Sequence, residues 1–366
     1  MKAGIIGYGK MGKDIFQQFS DKLKEAEITV VVRRGAEEHS AQYVKALGKS
    51  LRRGRITEEE YAYRTEHTHF TEDMAALSGS DAVIEAIAED MEAKRGVFRS
   101  ISGTVPEDCL LLTNTSSLDI SSVFEGIPHR ERCMGMHFFY PVKLSGYTEL
   151  NVIPETSREA VEKAGSIVKA VGKTPLVFRG EEHMYLNQVL ACAVSHGIYL
   201  CEYLELSPSE LEESLVDIFP TAGGFGIIDS VGLGLMAESS DRLSRPRTKE
   251  LLRYGKGKME SWLSSGCPAE TGCFMEYISS HTSPTGHDSS KAGLYMTALI
   301  HNELSAALAE YTGDKEQLKN AVKDTLGLAE APGYYHDLYG TEAINSALDE
   351  LYRATGSLAY KANKEV

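Results

Sequence analysis

From residue 3 to about 180, short apolar and β-branched runs alternate with amphipathic stretches, the pattern of a parallel sheet covered by helices. The strands this predicts are AGIIGY, ITVVVRR, AVIEAI, CLLLTN, RCMGMHFF, ELNVI and TPLVF. After Gly180 the period becomes helical, most clearly in EHMYLNQVLACAVSHGIYLCEYLEL, and no further strand is predicted. A boundary near residue 180 therefore separates an α/β domain from an all-helical remainder.

The helical remainder carries a weak repeat at a spacing of 108 residues. Glu202-Tyr203 recurs as Glu310-Tyr311, Asp229 as Asp337, Gly232 as Gly340, Asp241 as Asp349 and Leu243 as Leu351. Each copy has a glycine-aromatic turn leading into a short helix and then a longer one. The predicted domains are 1–180, an α/β dinucleotide-binding unit argued below, then 181–285 and 286–366, two copies of one helical subdomain. Residues 263–293, rich in Gly, Ser, Thr and Pro, read as a linker or excursion.

Composition narrows the class. The longest apolar runs fall far short of the roughly 20 residues that cross a bilayer, so a membrane protein is not expected. MKAGIIGYG leaves no room for a secretory signal, and six Cys without a CxxC pair suit a reducing compartment, so the expected location is cytoplasmic. A net charge of −15 argues against nucleic-acid partners. The charge is uneven, however: residues 33–55 carry seven basic residues against Glu37 and Glu38. That basic island is either a solvated helix face or a site for an anionic ligand.

The local chemistry begins at GIIGYGKMG, directly after the first strand and before an amphipathic stretch. Gly7 suits a tight turn, Gly9 a close approach of backbone to a pyrophosphate, and Gly12 close helix-sheet packing, with Met11 among the cofactor-contacting positions. The pyrophosphate then rests on a helix N-terminus. The fold predicted is a Rossmann-type α/β domain followed by an all-α C-terminal region. In such folds an acid ending the second strand reads the ribose of NAD, but ITVVV ends in Arg33-Arg34. Two guanidiniums suit a 2′-phosphate, so NADP is the expected cofactor and NAD the alternative, reached if Glu37 or Glu38 curls back to the ribose.

GIIGYGKMGKDI, SDAVIEAIAEDMEAKRGVF, LLTNTSSLDI, GMHFFYPVKLSGYTELNVI, VGKTPLVF and LNQ, in that order and at these spacings, resemble the L-3-hydroxyacyl-CoA dehydrogenases over about residues 1–250. The second helical copy resembles the larger members of that family, in which the helical domain is doubled. His137 ends an apolar strand, where open α/β sheets bind ligands, and imidazole titrates in the range a proton-transferring base requires. Glu149, twelve residues on after a loop with Pro141 and Gly146, begins the next strand and can orient the ring. A lone strand-end His is also a common structural residue; the resemblance favours the catalytic pair. Ser116 reads from sequence as a helix N-cap. The resemblance implies that Ser116 also hydrogen-bonds the reacting oxygen, that Asn114 lies near the nicotinamide, and that Asn187 faces the catalytic His. It also implies that Glu89 and Lys94 contact the cofactor, although either can be a solvated helix-start residue. Ser50 matches a position near coenzyme A, with Lys49, Arg52, Arg53 and Arg55 as cations for its phosphates.

The departures from the family lie at Tyr140, where HFFNP has become HFFYP, at His183-Met184 in place of Gly-Phe, and at Gln188 in place of Arg. They are expected to line the cleft between domains and bear on the acyl substrate. The reading is an NADP-preferring dehydrogenase interconverting a 3-hydroxyacyl-CoA and its 3-oxoacyl form. Its competitors are a dehydrogenase of a free 3-hydroxy acid and a dinucleotide-binding protein without turnover. Relatives with one helical domain pair as dimers; a second copy within the chain predicts a monomer instead.

Overall fold

The structure, a computed structural model, describes residues 1–179, 184–220 and 223–363. Two compact units divide the chain between His183 and Met184. The first holds one sheet of β1 (Lys2–Ile6), β2 (Glu27–Val31), β3 (Thr68–Thr71), β4 (Ala82–Glu85), β5 (Leu110–Thr113), β6 (Cys133–Phe138), β7 (Tyr147–Val152) and β8 (Thr174–Arg179). The order is β3-β2-β1-β4-β5-β6-β7-β8. Strands β3 through β6 are parallel, β7 is antiparallel to β6, and β8 is parallel to β7. The central strands β4 and β5 are buried at every position, which is why they read as unbroken apolar runs. Helices α1 (Lys10–Lys22), α2 (Ala36–Arg52), α3 (Glu58–Glu66), α4 (Met91–Ile101), α5 (Ile120–Val123) and α6 (Arg158–Ala170) make the connections. Because β1 lies between β2 and β4, the strand order reverses there, and the crevice beyond the strands' C-terminal ends at such a point is where doubly wound sheets bind ligands.

All seven predicted strands are present, and β3 is an eighth that the pattern misses. THFT is an edge strand of four residues with only Thr68 fully buried, too short to show an alternation.

The second unit is helical: α7 (Tyr185–Tyr203), α8 (Pro208–Ser214), α9 (Gly223–Val231), α10 (Leu233–Arg242), α11 (Lys249–Ser264), α12 (Phe274–His281), α13 (Ala292–Glu310), α14 (Lys315–Leu326), α15 (Pro332–Tyr339) and α16 (Thr341–Thr355). Helix α7 packs against both α11 and α13. Helices α13 to α16 begin 107 to 109 residues after α7 to α10. Gly232 and Gly340 stand immediately before α10 and α16, at φ 95° and 81°, a region that disfavours a side chain. The expected linker 263–293 instead contains α12, which buries Phe274 and Ile278. Their spacing of one helical turn is masked in sequence by the surrounding Gly, Ser and Thr. No single helix among the described residues is long and apolar enough to cross a membrane.

Candidate active site

The glycine loop joins β1 to α1. Gly7 has φ 100°, and a Cβ there would lie 2.6 Å from the Ala86 carbonyl oxygen; at Gly12 it would lie 2.2 Å from the Gly7 carbonyl oxygen. Both glycines are required by the fold itself. Gly9 is different: its φ is −71°, and a Cβ would meet nothing within 4 Å. Neither conformation nor packing explains a glycine there, and it caps a helix whose first N–H groups donate to no side-chain cap. Open space above uncapped N–H groups fits a phosphate-bearing cofactor. Met11 is half-buried against the sheet's core, and Lys10 places its ammonium 3.9 Å from the centroid of the Tyr140 ring. Tyr140 is 52% exposed.

Strands β6 and β7 bring His137 opposite Glu149 in register, and Nδ1 of the ring lies 2.9 Å from a Glu149 carboxylate oxygen. Both side chains are buried, at 4% and 0% exposure. The contact follows from the antiparallel turn: β6 ends, and β7 begins, at the same edge of the sheet as the glycine loop. Asn114, following β5, accepts the Phe138 N–H on Oδ1 at 2.9 Å, tying the end of β5 to the end of β6. With Oδ1 so used, the side-chain NH₂ of Asn114 has no protein partner among the described residues and remains a donor.

Glu89 organises the loop after β5. One carboxylate oxygen accepts from the Thr115 hydroxyl at 2.6 Å, the Ser116 N–H at 2.9 Å and the Ser117 N–H at 3.0 Å, and from the Ser116 hydroxyl at 3.3 Å. Burial pushes this carboxyl up, but Lys94 and the donors from Thr115 and Ser116 outweigh it and hold the group below the ordinary carboxylate range. Lys94 is only 1% exposed, 2.6 Å from Glu85 and 3.3 Å from Glu89, so its ammonium faces two carboxylates rather than solvent. Glu85 is fully buried and also accepts from the Thr113 hydroxyl at 2.7 Å and the Ile87 N–H at 2.7 Å. Sequence reading passes over Glu85; its signal is an acid ending an otherwise apolar strand.

Ser116 is not a helix cap. Asp119 caps α5 through the Ser122 N–H at 2.7 Å, because the helix begins three residues later than the TNTSS pattern suggests. Gln188 is buried, its amide donating toward Thr248 at 3.4 Å and Glu303 at 3.3 Å. It joins α7 to α13 within the helical unit. Asn187 is half-buried in α7, in the second unit. His183 lies outside the described residues. Arg33 and Arg34 are exposed at the end of β2, with no ion pair among the described residues. Ser50 is half-buried near the C-terminal end of α2, with exposed Arg52 and Arg53 beside it. Along the axis of α2, Ser50 and Arg52 lie about 21 and 24 Å from the helix start at Ala36. The structure brings His137, Glu149, Asn114 and Ser116 to one edge, and Ser50 and Arg52 lie toward the far end of α2 from its start there.

Residues 2–181 match the model of a protein family described as 3-hydroxyacyl-CoA dehydrogenase, NAD binding domain. The chain is 29% identical over 189 residues to the fatty acid oxidation complex subunit alpha of Psychrobacter cryohalolentis, covering 52% of this chain and 26% of that protein. It is 26% identical over 215 residues to the 3-hydroxybutyryl-CoA dehydrogenase of Clostridioides difficile, covering 59% of this chain and 76% of that one. The chain spans 26% to 35% of the length of the fatty acid oxidation subunits it matches. Among solved structures, the 3-hydroxybutyryl-CoA dehydrogenase of Escherichia coli K12 has a TM-score of 0.80, covering 100% of this chain and 97% of that one at 16% identity. A (S)-3-hydroxybutyryl-CoA dehydrogenase from Ralstonia eutropha has a TM-score of 0.65, covering 73% and 95%, at 23% identity. At these identities the two structures establish a shared fold.

Proposed function

For a chain that belongs, through residues 2–181, to the 3-hydroxyacyl-CoA dehydrogenase family, we propose the reversible interconversion of an L-3-hydroxyacyl-CoA and its 3-oxoacyl-CoA. The observation that carries this is the buried His137–Glu149 pair at the ligand-binding edge of the sheet, beside a glycine loop with open space at Gly9. A nicotinamide dinucleotide, when bound, supplies or accepts the hydride. The chain's own residues handle the proton. His137 takes it from the substrate hydroxyl in oxidation and returns it in reduction, while Glu149 fixes the ring through Nδ1 and stabilises the imidazolium. Ser116 hydrogen-bonds the reacting oxygen, and Asn187 is retained as a further catalytic residue on the resemblance. Asn114 offers its NH₂ to the carboxamide of the nicotinamide. Gly7, Gly9, Met11 and Gly12 form the pyrophosphate cradle. Lys94 acts through Glu89, which shapes the backbone from Thr115 to Ser117.

Arg33 and Arg34 support NADP as the preferred dinucleotide, with NAD retained as the alternative. Ser50, Arg52 and Arg53 are read as contacts for the coenzyme A moiety. Six free cysteines suit a reducing, cytoplasmic setting. We read residues 286–366 as a second helical copy that supplies within one chain the surface a partner subunit would otherwise cover, so the protein acts as a monomer. The matching helix order and the paired glycines at 232 and 340 support this.

The deciding assay follows NADPH and NADH oxidation against acetoacetyl-CoA, longer 3-oxoacyl-CoAs and free acetoacetate. Saturable turnover of the thioesters with little on the free acid is expected. Turnover of the free acid at comparable kcat/KM would replace the thioester reading, and no turnover of either would remove the dehydrogenase reading.

A further inference from the structure

Strand β2 runs out through Val32 into Arg33 and Arg34 with no acid at its C-terminal end, yet an acid stands beside that end. Strand β3 runs parallel to β2 with Thr71 opposite Val31, and the Val32 N–H donates to the Thr71 carbonyl at 2.9 Å. The residue after β3, Glu72, therefore emerges next to the turn that leads from β2 into α2. One Glu72 carboxylate oxygen accepts the Gly35 N–H at 2.7 Å and lies 3.5 Å from the Ala36 nitrogen. Gly35 has φ 78° and caps the 17-residue helix α2 without a side chain of its own. The end of β2 is where this fold places the adenine ribose, so carboxylate and arginines stand together at the ribose position.

We propose that Glu72 is a cofactor-selecting residue: its carboxylate accepts the ribose 2′-hydroxyl and opposes a 2′-phosphate. This rests on the dinucleotide reading above. A 2′-phosphate would meet a fixed negative charge, and the amides best placed to receive it are already taken by that charge. A free 2′-hydroxyl meets an acceptor instead. Arg33 and Arg34 pull the other way, so cofactor choice is a contest between groups from neighbouring strands. The acid is supplied across the sheet, from the end of the strand beside β2 and not from β2 itself.

The test titrates NADPH and NADH into the full chain, followed by nucleotide fluorescence or calorimetry without substrate, for the unmodified protein, Glu72→Gln and Glu72→Ala. Gln keeps an oxygen acceptor for Gly35 and Ala36 and removes only the charge; Ala also frees the amides. Both variants are expected to shift the ratio of NADPH to NADH affinity toward NADPH by about tenfold, as for removing one close like charge. A ratio within twofold of the unmodified protein's in both variants, with unchanged melting temperatures, would overturn the proposal while leaving the cofactor reading intact. An unmodified protein that binds neither dinucleotide would overturn the cofactor reading, and this inference with it.

Discussion

Replacing Glu149 by Gln separates a catalytic pair from a buried structural one. The change is nearly isosteric, and the amide oxygen can still accept the Nδ1–H of His137 at the 2.9 Å now seen, so the ring keeps its orientation. What is lost is a full negative charge from a site with 0% exposure, next to a ring with 4%. During oxidation of the substrate the ring gains a proton, and its charge then centres about 4 Å from the carboxylate. At an effective dielectric of about 20 that attraction is about 4 kcal/mol. A barrier raised by about 4 kcal/mol slows kcat by about a thousandfold. The assay is steady-state NADPH or NADH oxidation with acetoacetyl-CoA, alongside nucleotide binding and thermal melting. Affinity for the dinucleotide should change by less than threefold. His137→Ala should lose between about 10² and 10⁴ in kcat, as expected on removing the acid-base group itself. A Glu149→Gln protein that melts normally and keeps more than a tenth of its kcat would refute the relay.

Gly9→Val should leave the melting temperature unchanged within a degree or two and weaken dinucleotide binding at least tenfold, because the protein leaves the space above Gly9 open; normal binding would place the pyrophosphate elsewhere. Arg34→Asp should narrow or reverse a preference for NADPH in kcat/KM, whereas an unmodified enzyme that favours NADH tenfold or more would remove the NADP reading. His196 is fully buried, and burial pushes its imidazole down to about 4 despite the bond with the Tyr295 carbonyl. The unfolded chain binds this proton near pH 6.5 and the folded one near 4, so stability is full above 6.5 and falls by up to about 3 kcal/mol as pH drops to 4. Chemical denaturation of His196→Gln should show a flatter slope over that window, and an identical slope would exclude His196 as the cause. Sedimentation of the full chain should give a single species at 40.1 kDa, and a chain cut after residue 285 should dimerise or aggregate. A stable dimer of the full chain, or a soluble monomeric truncation, would rule out the internal partner.

The parts of the fold that sequence displays are those whose burial leaves a local mark. Strands β4 and β5, buried at every position, print as apolar runs, and Gly7 and Gly12 print as glycines because a Cβ would strike a carbonyl. The His137–Glu149 contact is half legible, since the two lie at neighbouring ends of consecutive strands, while the pairing that sets them opposite each other is visible only in the sheet. What stays hidden depends on neighbours remote in sequence. Glu85 looks like any acid following an apolar run until α4 returns Lys94 to 2.6 Å from it. Gln188 gives no sign in sequence of its contact with Glu303, which α13 supplies.

The same distinction decides what α7 says about the rest of the helical unit. Thirteen of its nineteen residues are buried, so it has scarcely any exposed face and is packed by neighbours on more than one side. Helix α11 covers one side, where Gly255 lets the backbone approach Ser195, and α13 packs on another, with His196 bonded to the Tyr295 carbonyl and to the Tyr360 hydroxyl. Leu299, Ile300, Leu304, Ala307 and Leu308 on α13 are all buried in turn. At about 25 cal/mol per Å² of apolar surface, stripping α13 to α16 from α7 would cost stability in proportion to the apolar area it exposed. A chain ending before α13 would leave that face of α7 uncovered, so the proposed second helical copy and the proposed monomer stand or fall together.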